Sequence, residues 1–390
     1  MLSMNRFNVS RCGGVLVVMM STALGIASTS SIADAQTSVS GVEAAATAHY
    51  TQASKEEQAI WQEAVKKAGP PPSGGCYTIS YPDTTWKKGT CEAVSRKLSD
   101  STHSGASNQG QETSSNLGRS TPSSIGNLTV GNGADYAAKT TGITTSAIGS
   151  FPAAVVSGLT NPADGYTLQL NTDIAKNPSF CPKIGFDSSC KVWQQFIYGS
   201  DYVLSQPGPL GTVPKGPQIF IQNWIFPSNK DMNLLLQGKK QCPTGFDFSV
   251  FGGGCFGNSY AVAAPTIPVG DLPLVTLAGY ASTAGQGATD TVVLTYKGNA
   301  YSVNQPDSTL DIGQIWKLSE FNIVGNGGGG GLNFKSGTSL AVNLQVNDAT
   351  TNKPVCLKNA GTTGETNNLT LGKCTATGGT TPSIQFTESN

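Results

Sequence analysis

The chain has 390 residues and no net charge, because 24 lysine and arginine residues balance 24 aspartate and glutamate residues. Only 12% of the residues are charged, which excludes a basic groove for nucleic acid and a basic patch for anionic lipid. The 47 glycines and 21 prolines make the chain rich in turns, which predicts an all-β protein with neutral or weakly charged partners.

The first 35 residues have the pattern of a secretory signal peptide. Arg6 and Arg11 precede an apolar run over residues 15–26, and Ala-Asp-Ala at residues 33–35 matches a cleavage signature before Gln36. The apolar run is shorter than the roughly 20 residues that span a bilayer, and no later run is longer or more apolar. We therefore expect a secreted, extracellular protein with no membrane anchor.

Residues 36–98 are predicted to hold a helix and a small cystine module, followed by a linker. Apolar residues recur loosely at helical spacing over residues 36–69, and the prolines at 70–72 end the helix. A short β-like run at residues 77–81 lies between Cys76 and Cys91. Residues 99–124 are rich in Ser, Thr, Gly, Asn and Gln, which predicts a linker. The region up to residue 155 could serve as a prosegment or as an accessory piece.

From residue 125 to residue 390, short alternating runs recur between clusters of Gly, Pro, Asn and Asp. No helical pattern separates these runs, so they predict two packed antiparallel sheets, a β-sandwich or jelly roll. The clearest predicted strands lie at residues 166–172, 193–198, 218–226, 274–280, 291–296, 300–303, 320–324, 340–346 and 383–387.

The cysteines of the mature chain form an even set, because Cys12 lies in the signal peptide. An even number of cysteines in an exported chain predicts disulfides, although eight cysteines allow about 105 connectivities. Metal ligation is the weaker alternative, since neither a C-x-x-C pair nor a histidine partner accompanies them, and we expect no metal and no cofactor. Pairing of sequence neighbours would join Cys76 to Cys91, Cys181 to Cys190, Cys242 to Cys255 and Cys356 to Cys374.

The side chains that hydrolases commonly use are scarce in this sequence. No histidine follows His103, and no cysteine has the pattern of a free thiol. Glu320 is the only glutamate between Glu112 and Glu365, and it stands in an alternating run that is typical of a half-buried strand. Any hydrolysis would therefore depend on carboxylates, amides and hydroxyls.

Strand parity places polar and aromatic side chains of three predicted strands on the faces that point away from the core. Residues two apart in a strand share a face, so Phe321 and Ile323 take the core side and leave Glu320 on the other. If the three strands are neighbours, their outward faces would line a groove suited to an extended polymer. The outward set is Gln169, Asn171, Gln222, Trp224, Glu320 and Asn322.

Three segments of these strands carry a resemblance to a known family. They read Leu-Gln-Leu-Asn-Thr-Asp at residues 168–173, Asn-Trp-Ile-Phe-Pro at 223–227, and Ser-Glu-Phe-Asn-Ile-Val at 319–324 ahead of Leu-Asn-Phe at 332–334. This pattern resembles the glutamic peptidases, the eqolisins, over residues 160–340. The resemblance implies a concanavalin-like β-sandwich and an acid endopeptidase.

The resemblance also implies a Gln/Glu dyad at Gln169 and Glu320. In such a dyad the glutamate is the general base on a water molecule, and the glutamine orients the water and stabilises the oxyanion. Trp224, with Gln222, Asn171 and Asn322, is expected to bind the substrate. Asn223 stands where the family has a glutamate, and no second acid follows Glu320 in its strand.

A non-catalytic sandwich that binds carbohydrate or another surface through Trp224 and the Asn/Gln face is the alternative. One sandwich fold supports lectins, glycanases and peptidases alike, so the fold does not choose between the two hypotheses. The expected partner is a polypeptide substrate or an extracellular glycan, and we expect a monomer that binds neither nucleic acid nor membrane.

Overall fold

The computed structural model describes residues 31–72, 74–94, 135–200, 216–250, 252–283, 287–326 and 330–390. The chain divides into two units, Met1–Val42 and Glu43–Asn390. Of the first unit the structure describes residues 31–42, which are helical. Most of the predicted signal peptide, and all of the linker predicted over residues 99–124, lie outside the described residues.

The described helices are α1 (Ser31–Gln52), α2 (Lys55–Ala68) and α3 (Asn229–Leu236). The single helix predicted over residues 36–69 is thus two helices, because Ser54 starts a new one. The Ser54 hydroxyl accepts a hydrogen bond from the Glu57 backbone N–H, and the Glu57 carboxylate accepts one from the Ser54 backbone N–H. No described helix is long and apolar enough to cross a membrane.

The strands follow one another with few helical interruptions. In the first half of the described chain they are β1 (Gly75–Ser80), β2 (Lys87–Lys88), β3 (Glu92–Ala93), β4 (Tyr136–Lys139), β5 (Ser146–Val155), β6 (Tyr166–Asn171), β7 (Ala175–Lys176), β8 (Lys191–Gly199), β9 (Gln218–Phe226) and β10 (Asp247–Ser249). The remainder are β11 (Gly254–Ala263), β12 (Val275–Ala281), β13 (Thr289–Tyr296), β14 (Asn299–Pro306), β15 (Leu318–Gly325), β16 (Gly331–Leu332), β17 (Ser339–Asn347), β18 (Val355–Lys358), β19 (Thr366–Asn367), β20 (Thr370–Thr377) and β21 (Ser383–Ser389).

These strands build two packed sheets. The first sheet has the order β2-β1-β14-β13-β12-β5-β17-β21-β20, and the second has the order β10-β11-β9-β8-β6-β15-β4-β18, with β3 beside β11 and β7 beside β8. Both sheets are antiparallel, and among the described strands the parallel pair is β16 with β19, which forms a separate two-stranded sheet. The prediction of an all-β antiparallel sandwich is confirmed, and each of the nine predicted strands coincides with an observed one.

Two glycines of the first sheet allow aromatic rings of the second sheet to pack against it. A Cβ added at Gly149 would lie 2.1 Å from the Phe321 ring, and one at Gly279 would lie 2.4 Å from the Phe196 ring. Both rings are fully buried between the sheets. Because Phe321 points inward, the neighbouring side chain of Glu320 must point to the opposite face of the second sheet.

The region around Cys76 differs from its prediction as a separate cystine module. Strand β1 pairs with β14 from Gly75 opposite Asn304 to Ser80 opposite Asn299, so it belongs to the first sheet. The segment after Cys91 forms β3, which joins the second sheet beside β11. Short apolar runs do not reveal their partner strands, which is why the sequence alone separated this region from the sandwich.

All four disulfides join sequence neighbours. They are Cys76–Cys91, Cys181–Cys190, Cys242–Cys255 and Cys356–Cys374, in agreement with the simplest predicted pairing. The last of them has a wider role, because Cys356 lies in β18 of the second sheet and Cys374 in β20 of the first. It therefore ties the two sheets together at one edge of the sandwich.

Candidate active site

A row of polar side chains crosses the outward face of the second sheet. In antiparallel sheets, residues directly opposite each other share a face. The register sets Glu320 opposite Asn171, Asn171 opposite Gln195, and Gln195 opposite Gln222. Gln169 and Asn322, which are also opposite each other, lie two residues along the same strands. The structure thus brings all the polar residues singled out by parity to one face.

Amide side chains connect Gln169 to Glu320 within this row. Gln195 Nε2 donates to Gln169 Oε1 at 2.9 Å and to Asn171 Oδ1 at 3.1 Å. Asn171 Nδ2 in turn donates to Glu320 Oε2 at 3.2 Å and, more weakly, to Gln169 Oε1 at 3.4 Å. Asn171, rather than a direct contact, therefore links the two residues, and Gln195 fixes the orientation of both amides.

The Nε2 group of Gln169 points toward Thr167 and the Glu365 carboxylate. It donates to Thr167 Oγ1 at 3.0 Å and to Glu365 Oε2 at 3.4 Å. Glu365 is partly exposed, whereas Gln169 is buried. The second hydrogen bond is long, so this amide N–H is the least committed donor of the network.

Glu320 is held from the opposite side by residues that precede β19. Its Oε2 accepts hydrogen bonds from the Thr362 backbone N–H at 2.6 Å and from Thr362 Oγ1 at 2.7 Å. Its Oε1 is buried and has no hydrogen-bond partner. A Cβ at Gly361 would come within 2.8 Å of Oε1, so only a glycine allows the backbone to approach this oxygen so closely.

Burial has the largest effect on the pKa of Glu320, which is 1% exposed. Desolvation raises the pKa of this carboxyl above its usual value, and the hydrogen bonds from Thr362 and Asn171 oppose the rise because they favour the charged form. The fold therefore gives Glu320 a higher pKa than that of an exposed glutamate.

Trp224 lies on the predicted face but is not exposed. It is 6% exposed and packs with Trp193, Phe226 and Phe256 in an aromatic cluster, where its ring stacks on Phe226 with centroids 5.8 Å apart. Its Nε1 donates to Gln222 Oε1 at 2.9 Å. Trp224 thus orients the Gln222 amide through this hydrogen bond, and the neighbouring aromatic side chains cover its ring.

Asn322 points toward two further acids. Its Nδ2 donates to Asp135 Oδ2 at 2.7 Å and to Glu388 Oε2 at 3.3 Å. Neither acid was identified from the sequence. Glu388 could have been recognised as buried, since it alternates with Ile384 and Phe386 on the core side of β21. Asp135 precedes β4, and no local pattern marks it.

Gln195, Thr362 and Glu365 are further site residues that the sequence analysis missed. Gln195 could have been found by parity, because it lies between Trp193 and Ile197 on one face of a predicted strand. Thr362 could not, since it lies outside regular structure and approaches Glu320 only through the tertiary fold.

Among the described residues, no group of three or more His, Cys, Asp and Glu side chains is arranged to hold a metal ion. No protein-family model and no curated protein matches the chain.

Proposed function

We propose that the protein is a secreted acid endopeptidase of the glutamic type, with Glu320 as general base and Gln169 as oxyanion donor. The observation that carries this proposal is the amide link from Gln169 through Asn171 to Glu320, which leaves Glu320 Oε1 without a partner. A base needs an unoccupied lone pair, and its own orientation must be fixed by other hydrogen bonds. Thr362 and Asn171 supply that orientation through Oε2.

The proposed reaction uses the side chains of Glu320 and Gln169. Glu320 Oε1 takes a proton from a water molecule as its oxygen attacks the carbonyl carbon of a peptide bond. The Nε2 group of Gln169 donates a hydrogen bond to the oxyanion that forms. Glu320 then passes the proton to the amide nitrogen, the oxyanion collapses to a carboxyl group as the C–N bond breaks, and the amine leaves with Glu320 again ionised. The negative charge moves from Glu320 to the substrate oxygen and back, so the mechanism requires one ionised carboxyl and one neutral amide donor.

The proposed base works in mild acid, and the pKa of Glu320 sets the lowest pH at which it is active. Glu320 acts only when it is ionised, and its pKa is raised by burial. Activity is therefore lost as the pH falls through this raised pKa, and the optimum lies at a milder acidity than an exposed glutamate would give.

The alternative of a carbohydrate-binding sandwich receives less support from the site. Sugar stacking needs an accessible aromatic face, whereas Trp224 is enclosed by Phe226 and Phe256. A polypeptide in an extended conformation is the proposed partner of the row of amide donors and acceptors. That row is as buried as Trp224, so substrate must displace the segment around Thr362 to reach it. Four disulfides agree with an extracellular location, and the expected working form is a monomer.

The test is digestion of a denatured protein by the purified chain from about pH 2 to about pH 8. We expect cleavage in mild acid, and Glu320→Gln should lower kcat/KM by on the order of a thousandfold, because an amide cannot accept the proton. Glu56→Gln is the matched control, since Glu56 is exposed on α2. The melting temperature of both variants should stay near that of the parent chain.

Two results would contradict the proposal. One is that the parent chain cleaves no protein at any pH in this range, and the other is that Glu320→Gln retains activity. In either case the glycan-binding hypothesis would be tested next, by glycan binding of the parent chain and of Trp224→Ala.

A further inference from the structure

Three buried carboxyl groups meet at the edge where the two sheets are tied by Cys356–Cys374. Glu320 comes from β15, Asp135 directly precedes β4, and Glu388 comes from β21 of the first sheet. The Asn322 amide bridges the latter two, since its Nδ2 donates to both. The three are 1%, 8% and 1% exposed, respectively.

Hydrogen-bond donors are distributed unequally among the three carboxyls. Glu320 receives the Thr362 backbone N–H, the Thr362 hydroxyl and an Asn171 amide N–H. Glu388 receives only two amide N–H groups, from Asn322 and Asn367, both at 3.3 Å and both on Oε2, so that its Oε1 is buried without a partner. A negative charge is therefore better accommodated on Glu320 than on Glu388.

Among the described residues, no lysine or arginine forms an ion pair with any of the three carboxyls. The ion pairs that are present involve other acids. The strands that flank β21 place Leu340 and Leu371 opposite Glu388, so they contribute no titratable group there. Asp135 of the second sheet lies between the other two carboxyls, since it shares the Asn322 amide with Glu388 and is acted on by the charges of both Glu388 and Glu320. Buried like charges this close to one another cannot all ionise at low cost.

The protonation of the group follows this geometry. Burial raises the pKa of Asp135 well above its usual value, and the charges of Glu320 and Glu388 raise it further. Burial also raises the pKa of Glu388 to about 7, against the lowering effect of the hydrogen bonds from Asn322 and Asn367. Both carboxyls therefore hold their protons to a higher pH than exposed acids do.

We propose that Asp135 and Glu388, joined by the Asn322 amide, are positioning residues that hold protons so that Glu320 can be the single charged carboxyl of the cluster. When they lose these protons toward neutral pH, their negative charges repel one another and that of Glu320, which weakens the contact between the sheets and the positioning of Glu320. The protein is thus built to act, and to remain stable, in acid. The activity part of this inference rests on the proposed function, whereas the stability part does not.

The sign of the stability effect is fixed by linkage. A carboxyl with a raised pKa in the folded state binds more protons folded than unfolded, so its contribution is complete below the unfolded value of about 4.3. That contribution is lost as the pH rises through the folded value, which is about 7 for Glu388. The melting temperature should therefore fall between about pH 5 and about pH 8.

The experiment compares the parent chain with Glu388→Gln, and with Glu56→Gln as an exposed control. In the parent and the control, the melting temperature should fall by on the order of 5 °C over this range. In Glu388→Gln the fall should be at most half as large, and the neutral limb of kcat/KM should move to higher pH. Asp135→Asn should act in the same direction.

Parallel melting curves for the parent and Glu388→Gln would overturn the inference even if neither chain cleaves protein. If the parent proves inactive, the melting curves still decide the stability part, so the two proposals fail separately. If Glu388→Gln does not fold, carboxyl-carbon NMR of the parent decides instead. We expect Glu388 to titrate near neutral pH, and titration near its unfolded value would overturn the inference.

Discussion

The second sheet carries one buried cluster of acids and amides on each of its faces. On the outward face, Asn171 links Gln169 to Glu320. On the inward face, Gln305 Nε2 of the first sheet donates to Asn223 Oδ1 at 2.9 Å and to Gln194 Oε1 at 3.1 Å, and thereby joins the two sheets. Both clusters combine buried amides with a carboxyl, yet they differ in their surroundings.

The inward cluster also contains a strongly perturbed acid. Burial, the charge of Asp307 and a hydrogen bond with Asp307 raise the pKa of Asp290 well above its usual value. Asp290 lies opposite Gln305 in the first sheet and is enclosed between the sheets. A raised pKa is therefore shared by both clusters, and it does not by itself mark a catalytic group. The outward position of Glu320 is what distinguishes it.

Removing one amide from each cluster gives the largest expected contrast. Gln169→Ala should lower kcat/KM by on the order of a hundredfold with a small change in melting temperature, because it removes the oxyanion donor. Gln305→Ala should lower the free energy of unfolding by about 3 kcal/mol, because it leaves Asn223 and Gln194 unsatisfied between the sheets. Activity assays and urea denaturation of both variants check this contrast. If both variants lose the same activity per folded molecule, the two clusters do not differ in function.

Glycines beside the outward cluster give an intermediate effect. Gly361→Ala places a Cβ 2.8 Å from Glu320 Oε1 and 3.1 Å from Asp135 Cβ. We expect kcat/KM to fall by about tenfold, since the base or the loop must shift, and stability to fall by about 1 to 3 kcal/mol. Gly364→Ala is the control, because nothing lies within 4 Å of its added Cβ. If both variants behave alike, the close approach of Gly361 has no functional consequence.

The smallest expected effect is a shift of the acid limb of activity. Thr362→Val removes the hydroxyl donor to Glu320 and keeps the backbone N–H, so the pKa of Glu320 rises further. Because the base must be ionised, the acid limb of kcat/KM should move to higher pH by about one unit. Thr370→Val, at an exposed position of β20, should leave the limb in place. A shift toward lower pH in Thr362→Val would contradict the role of Glu320 as base.

The sequence predicted those parts of the molecule that depend on local periodicity. Alternation located β6, β9 and β15, and parity put Gln169, Asn171 and Glu320 on outward faces. Disulfides between sequence neighbours were also predictable, because short loops keep their ends close. The longer β5 and β11 were missed, since Ser, Gly and Pro interrupt their alternation.

Burial of the outward face escaped the sequence analysis. Trp224 was assigned as exposed, but it is enclosed by Trp193, Phe226 and Phe256 from its own and neighbouring strands. The raised pKa of Glu320 has the same origin, because burial depends on which distant segments cover a side chain.

By itself, the sequence determined that the chain forms an antiparallel sandwich and which side chains leave its core, because side-chain direction in a strand alternates residue by residue. Only the tertiary structure decided which of these side chains meet. Glu320 and Asp135 are 185 residues apart, and Glu388 reaches them from the other sheet. Since the order of strands in a sheet is not encoded in any one strand, the network around Glu320 exists only once both sheets have formed.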